Sequence, residues 1–297
     1  MRARALLALV LLTLIWGYTW VLVKIALTYS SPFAFSALRS VVSTIAVFLA
    51  LIMMRRPLRL VAPGKTFLIG SVNIGGFLLF QSWALVEGGP GKTSVLIFTM
   101  PIWTLLLAWA FLGERVRGGQ WLAACSTMGG LLLIIAPWTL HGSLFSKFLG
   151  LLAGISWALG TVMLKRWRHE LADDLLTVTA WQMAFGSLVL IPVAFLVPEP
   201  ATQWTAQFVA ILAFIAVVCS AFAWFLWFYV LERLPAWQAS LSVLGIPVVA
   251  NLASRLQLGE AVAPLELAGM LLIGGGLALL SFLNWRGELQ RSRQSST

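Results

Sequence analysis

Charge is scarce in this chain of 297 residues: only 10% are Asp, Glu, Lys or Arg, while 60% are hydrophobic. A soluble globular domain carries about 25% charged residues, so the deficit excludes a water-soluble fold with a polar shell, and the mean hydropathy of +0.94 agrees. Cysteine and histidine are nearly missing, with two of each. Cys125 and Cys219 fall inside apolar stretches without a nearby His, the pattern of small buried hydrophobes rather than of a disulfide or metal site. His141 and His169 sit in connections, and Asp173-Asp174 reads as a solvated loop and helix cap. No nucleotide, metal-ligand or nucleophile motif appears. An enzyme is therefore not expected, and no catalytic residue, metal or cofactor is assigned. Acidic groups are also absent from the depths of the apolar stretches, which argues against coupling through a mid-membrane carboxylate and against carriage of lipophilic cations.

What the chain has is apolar length. A membrane helix needs about 20 apolar residues, and ten candidates occur near 5–27, 32–54, 66–86, 92–112, 119–137, 148–166, 175–197, 207–231, 236–258 and 264–285. Their connections are short, so neighbouring spans run antiparallel. Arg2 and Arg4 before an apolar run suggest a signal peptide, but the run is long, lacks a small-residue cleavage site and precedes nine more spans, so it is expected to be the first helix. The net charge of +10 would suggest nucleic acid in a soluble protein. Here it follows from sidedness: with the amino terminus in the cytoplasm, fifteen Lys and Arg lie inside, against Lys92 and Lys147 outside. Both termini are predicted cytoplasmic. The expected partners are the lipid bilayer and a small-molecule solute, with no nucleic acid, and nothing demands more than a monomer.

Much of the chain is written twice. Residues 84–115 align with 229–260, and Ser94, Pro101, Gly113 and Glu114 fall on Ser240, Pro247, Gly259 and Glu260 at a constant offset of 146. Thr13, Trp16, Trp20 and Lys24 share one helix face, and Gly154, Trp157, Thr161 and Lys165 repeat that spacing at an offset of 141. Gly129-Gly130-Leu131 likewise matches Gly275-Gly276-Leu277. Residues 1–142 and 143–297 thus form two units of five spans each. An odd number reverses the second unit in the membrane. The expected fold is an all-α membrane protein of ten transmembrane helices, arranged as two inverted five-helix repeats around a central cavity.

These residues carry a resemblance. Trp16-Gly17 in span 1, Ala37-Leu38-Arg39 in span 2, and TMPIWTLLLAWAFLGE in span 4 with its echo GIPVVANLASRLQLGE in span 9 resemble the EamA-type branch of the drug/metabolite transporter superfamily, over nearly the whole chain. The resemblance implies a ten-helix basket in the bacterial inner membrane. Its cavity would be lined mainly by spans 1, 3, 4, 6, 8 and 9, with spans 5 and 10 at the scaffold edge. It also implies export of amino acids or related small metabolites by alternating access. The segment FLLFQSWALVEGGPGKT departs from the aromatic amino acid exporters, and span 1 lacks the glutamate that small multidrug exporters use for proton exchange. A carrier of phosphorylated sugars or other organic anions is the alternative transporter; a channel, which cannot exchange solutes stoichiometrically, is the alternative of another class.

Candidate site residues follow from both lines. Pro101 and Pro247 each remove a helix hydrogen bond and clash with the carbonyl four residues back, so they are expected hinges that free the carbonyls of Ile97 and Val243 toward a cavity. Ser94, Phe98, Pro101 and Leu105 on span 4 should oppose Ser240, Leu244, Pro247 and Asn251 on span 9, although serines there also bond to their own helix. Trp16, Trp20, Trp83, Trp157, Trp224 and Trp227 are cavity candidates, with Thr161, and with Asn73 and Gln81 as inward polar groups. Arg39 lies about 10 Å into span 2, where an arginine demands a partner. It either receives a substrate carboxylate, or caps carbonyls, or pairs with Glu87 or Glu260 at the outer rim as a gate. The corresponding place in span 7 is Gln182, which is uncharged. Lys24 and Lys165, near opposite membrane faces, either snorkel to headgroups or attract an anion to the two mouths.

Overall fold

The computed structural model describes residues 2–114, 118–135, 143–171, 174–231 and 245–294. They are largely helical, and no strand occurs among them. Helices α1 (Arg2–Ala26) and α2 (Pro32–Met53) are followed by α3 (Pro63–Glu87) and α4 (Pro90–Leu112). Then come α5 (Gly118–Ile135), α6 (Leu144–Arg166) and α7 (Leu175–Leu196). Helix α8 is built from Ala206–Phe214, Ile215–Phe222 and Ala223–Leu231, and α9 (Gly245–Leu258) and α10 (Pro264–Gln294) close the chain. Among the described residues, 8 helices are long and apolar enough to cross a membrane, namely α1 to α4, α6 to α8 and α10. The chain is a multi-pass helical membrane protein. Its outward-facing side chains fit lipid as solvent: Met53, Phe195 and Leu256 are each more than four-fifths exposed.

Local chemistry sets the helix limits. Pro32, Pro63 and Pro90 stand in the first turns of α2, α3 and α4, where the missing N–H costs nothing and the fixed φ suits the helix. Ser143, Asp174 and Thr205 accept from the backbone N–H of Ser146, Leu176 and Phe208, capping α6, α7 and α8. Gly113 and Gly259 end α4 and α9 at φ of 67° and 68°, a left-handed conformation that a side chain would strain.

The packing has a pattern. Helix α1 lies against α8 and α9, and α6 lies against α3 and α4; α2 packs on α7 and α8, and α7 packs on α2 and α3. Helices α5 and α10 pair with each other, around Ala123, Leu131, Ile273 and Leu277. Exchanging each helix with the one five places later leaves this set unchanged. The α4–α6 contact is close because Gly154 lies under the Ile97 carbonyl, 2.9 Å from where a Cβ would stand.

Two helices depart from α geometry. Ser71–Gly76 in α3 and Ile215–Phe222 in α8 are π-helical, a wider turn that is rare and concentrates at functional sites. Both stretches lie in the third helix of their half of the chain.

Candidate functional site

Between these elements lies a cavity of about 240 Å³. Trp16, Thr19 and Trp20 of α1 line it, with Arg39, Ser40 and Ser43 of α2, Ile74, Phe77, Leu78 and Gln81 of α3, and Ile97, Phe98 and Met100 at the break in α4. From the second half come Trp157 of α6, Met183 of α7, Cys219, Ser220, Trp224 and Trp227 of α8, and Ile246 of α9. Both π-helical stretches reach it, through Ile74 and through Cys219 and Ser220.

Its walls are aromatic. Trp16 meets Trp224 edge-on and tilts against Trp227, both at 5.9 Å between centroids. Trp157 lies near-parallel to Trp224 at 6.4 Å and edge-on to Phe77 at 5.0 Å, and Trp20 packs on Phe98 at 6.1 Å. The Trp16 indole N–H donates to the Cys219 carbonyl at 3.2 Å, so the π-helical stretch of α8 is held to α1. Edge-to-face rings of this kind are rigid and large.

The polar groups sort into occupied and available. Ser40 bonds Ser187 at 2.8 Å, Ser43 bonds Ser220 at 3.0 Å, and the Thr19 hydroxyl donates to the Ile15 carbonyl at 2.7 Å. Arg39 Nη1 donates to Gln81 Oε1 at 2.9 Å. Arg39 is the one charged side chain among the described residues lining the cavity, and no described carboxylate forms an ion pair with it. The gate contact expected with Glu87 or Glu260 is therefore absent from the described residues: Glu87 is exposed at the end of α3, and Glu260 accepts from the Ser254 hydroxyl.

Several expected residues stand elsewhere. The Asn73 amide donates to the Trp157 carbonyl at 3.0 Å and joins α3 to α6. Trp83 is wedged between Phe33 and Phe145, on the side of α3 away from the cavity lining. Ser94 donates to the Gly91 carbonyl at 2.7 Å and Thr161 to the Trp157 carbonyl at 2.9 Å, each within its own helix. Asn251 donates to the Pro247 carbonyl at 2.9 Å and to Gly91 at 3.3 Å. That bond brings α9 directly onto α4, so these two faces touch at this level instead of opposing across the cavity. Ser240, Leu244 and Val243 lie outside the described residues.

The hinge and lysine expectations are met differently. Helix α4 breaks at Phe98–Thr99, just before Pro101, with Thr99 N–H reaching back to Leu96 at 3.3 Å. The freed Ile97 carbonyl faces Gly154 of α6, so the break serves helix contact there, while Phe98 takes the cavity side. Pro247 sits in the first turn of the described part of α9. Lys24 neither snorkels nor stands free: its ammonium donates to the carbonyls of Leu85, Val86 and Gly88 at 2.7, 2.9 and 3.2 Å, capping α3. Lys165 instead pairs with Glu114 at 2.5 Å, well exposed.

Sequence reasoning missed Thr19, Ser40, Ser43 and Ser220, and it missed the pairing of Arg39 with Gln81. Depth would have found the pairing. Arg39 is seven residues from the start of α2 and Gln81 six from the end of α3, so both lie about 9–10 Å from the same end of an antiparallel pair. Glu87 is a full turn and a half away, at the rim.

The model of the EamA-like transporter family matches twice, over residues 3–136 and 144–282. The uncharacterized transporter YoaV of Bacillus subtilis is 30% identical over 286 residues, covering 94% of this chain and 97% of that protein. A probable amino-acid metabolite efflux pump of Escherichia coli is 26% identical over 93% of this chain and 94% of its own length. A solved crystal structure superposes with a TM-score of 0.66 at 19% identity, over 97% of this chain and 100% of the other, and so shares the fold.

Proposed function

The chain belongs to the EamA-like transporter family, and from that premise we propose that it exports amino acids or related small metabolites across the bacterial inner membrane by alternating access. The observation that carries this reading is the cavity itself, walled by aromatic rings from both halves of the chain. Its volume falls below the roughly 300–1,000 Å³ usual for drug-sized ligands, which favours a small solute. The naming of the Escherichia coli relative as a probable amino-acid metabolite efflux pump supports the solute class.

The mechanism rests on two inverted five-helix repeats, residues 1–142 and 143–297, making ten spans with both termini cytoplasmic. Three observations support the repeat: the family model matches once in each unit, the packing survives exchange of α1–α5 with α6–α10, and both third helices carry a π-helical stretch. Rocking of one unit against the other would open the cavity to each side in turn, with Pro101 and Pro247 at the flexible points. Lys24 with Glu87 and Glu260 would hold one mouth, and Lys165 with Glu114 the other. Trp16, Trp20, Trp157, Trp224, Trp227, Phe98 and Gln81 would contact solute, while Asn73, Ser94, Thr161 and Asn251 fix the helices around it.

The test is flux in proteoliposomes holding the purified full-length chain, preloaded with a panel of radiolabelled amino acids and their deaminated analogues. Native protein should release a selected subset, faster when the same solute is present outside, and Trp157→Ala should lose that release. Exchange of this kind would also exclude a channel. Absence of protein-dependent release of every solute in the panel would overturn the reading.

A further inference from the structure

We propose that the cavity selects an organic monocarboxylate with a bulky apolar or aromatic body and no ammonium group, bound by Arg39 and Gln81. The proposal rests on the transporter reading and narrows its solute class. It begins from an unbalanced charge. Arg39 enters the cavity beside Gln81, and no carboxylate among the described residues compensates it. A guanidinium has five N–H groups, and one of them is directed to Gln81 Oε1. That bond orients both side chains: the guanidinium cannot turn without losing it, and the Gln81 amide nitrogen has no acceptor among the described residues. Two neighbouring donors of fixed direction at one spot suit the two oxygens of a carboxylate.

The remaining polar groups argue against other headgroups. The Thr19 hydroxyl donates to its own helix, and Ser40 and Ser43 bond Ser187 and Ser220, so these neutral groups are already partnered within the protein and none carries charge. No described lining residue is acidic, so an ammonium would find aromatic faces and neutral hydroxyl oxygens but no opposite charge, a weaker set of partners than a carboxylate. A phosphate dianion would bring two charges against one arginine. A monocarboxylate brings the matching charge, and its body then rests on the indoles opposite. Desolvating the arginine is costly when it stands alone and is offset when an anion arrives, so charge complementarity should raise affinity chiefly for anions.

Binding to the full-length chain in nanodiscs separates this from the general reading. Four probes share one ring and differ in headgroup: radiolabelled 3-phenylpropionate, 3-phenylpropionamide, phenylalanine and phenethylamine. The native protein should prefer the carboxylate over its uncharged amide by about tenfold, because charge-assisted hydrogen bonds are roughly twice as strong as neutral ones. Arg39→Gln should erase that preference by weakening carboxylate binding more than amide binding, and a single cooperative thermal transition in detergent reports that the variant is folded. Arg39→Lys keeps the charge without the fork and should fall between. Equal binding of carboxylate and amide by native protein, or tighter binding of phenylalanine than of 3-phenylpropionate, would overturn the proposal while leaving solute transport standing. Binding of none of the four, alongside release of another solute in the liposome assay, would also overturn it.

Discussion

Removing the Lys24 ammonium tests whether repeat-related lysines do the same work. Lys24 donates to three carbonyls at the end of α3, at 2.7 to 3.2 Å, where a cation also meets the negative end of the helix. A hydrogen bond to a charged group contributes about 1.5–3 kcal/mol when sheltered, but Lys24 is only half-buried and Val86 is exposed. Water would replace part of the lost bonding, so Lys24→Met should cost about 1–2 kcal/mol, well below the sum of three sheltered bonds. The loss should also be local. The Ser146 hydroxyl donates to the Ala84 carbonyl from α6, and the Gly88 and Thr93 amides donate to Ala84 and Gly89, so the segment keeps other ties. Native-state hydrogen exchange is the assay: the Gly88 amide should exchange about 5- to 30-fold faster, while amides in the α5–α10 pair stay unchanged. Lys165→Met is the counterpart. Its pair with Glu114 is exposed at 63% and 44%, and such pairs contribute about 0.5 kcal/mol or less, so exchange near Gly113 should move less than threefold. Equal effects of the two substitutions, or no change at Gly88, would refute the capping argument.

Two further outcomes are expected. Gly154→Val should lower the thermal midpoint in detergent by an amount equivalent to about 1–3 kcal/mol, because its Cβ would stand 2.9 Å from the Ile97 backbone carbonyl, whereas Gly274→Ala meets nothing within 4 Å and should leave the midpoint unchanged or raised. In a Cys125→Ala background, N-ethylmaleimide should label Cys219 through the cavity it lines, and a saturating transported solute should slow that labelling; labelling indifferent to solute would remove Cys219 from the path.

The apolar helices were legible because lipid imposes their composition residue by residue. A span must be apolar over its whole length, and a helix start must supply Pro, Ser, Asp or Thr. Asp174 is a case, expected as a cap and bonded to the Leu176 amide. Of the six tryptophans expected at the cavity, Trp16, Trp20, Trp157, Trp224 and Trp227 line it, whereas Trp83 packs on Phe33 and Phe145. The side chains misplaced by sequence alone are those whose role depends on a neighbour's distance. Asn73 and Asn251 are polar groups in apolar helices, a property that marks an inward direction but does not distinguish solute from the next helix. In each case a nearby carbonyl, of Trp157 or of Gly91, is the partner. Ser94 and Thr161 show the same ambiguity resolved within one helix. The π-helical stretches carry only a faint signal, Gly75-Gly76 in α3 and the small residues Cys219, Ser220 and Ala221 in α8, because a single inserted residue barely alters a hydropathy pattern.

The departures from symmetry matter as much as the repeat. Indoles at related places, Trp16 and Trp157, give the cavity aromatic walls from both halves, and aromatic walls by themselves do not orient a solute. At the place in α7 corresponding to Arg39 stands Gln182, buried at 3% exposure, with its carbonyl oxygen against Gly70. It does not line the cavity. Charge therefore enters the cavity, among the described residues, at Arg39 alone, and that gives the cavity a direction. A headgroup drawn to Arg39 and Gln81 lies beside α2 and α3, and the rest of the solute is then laid against the indoles of α1, α6 and α8. On the proposed mechanism, a solute held this way bridges both repeats at once, so its binding free energy bears on their relative position. That coupling is what alternating access requires.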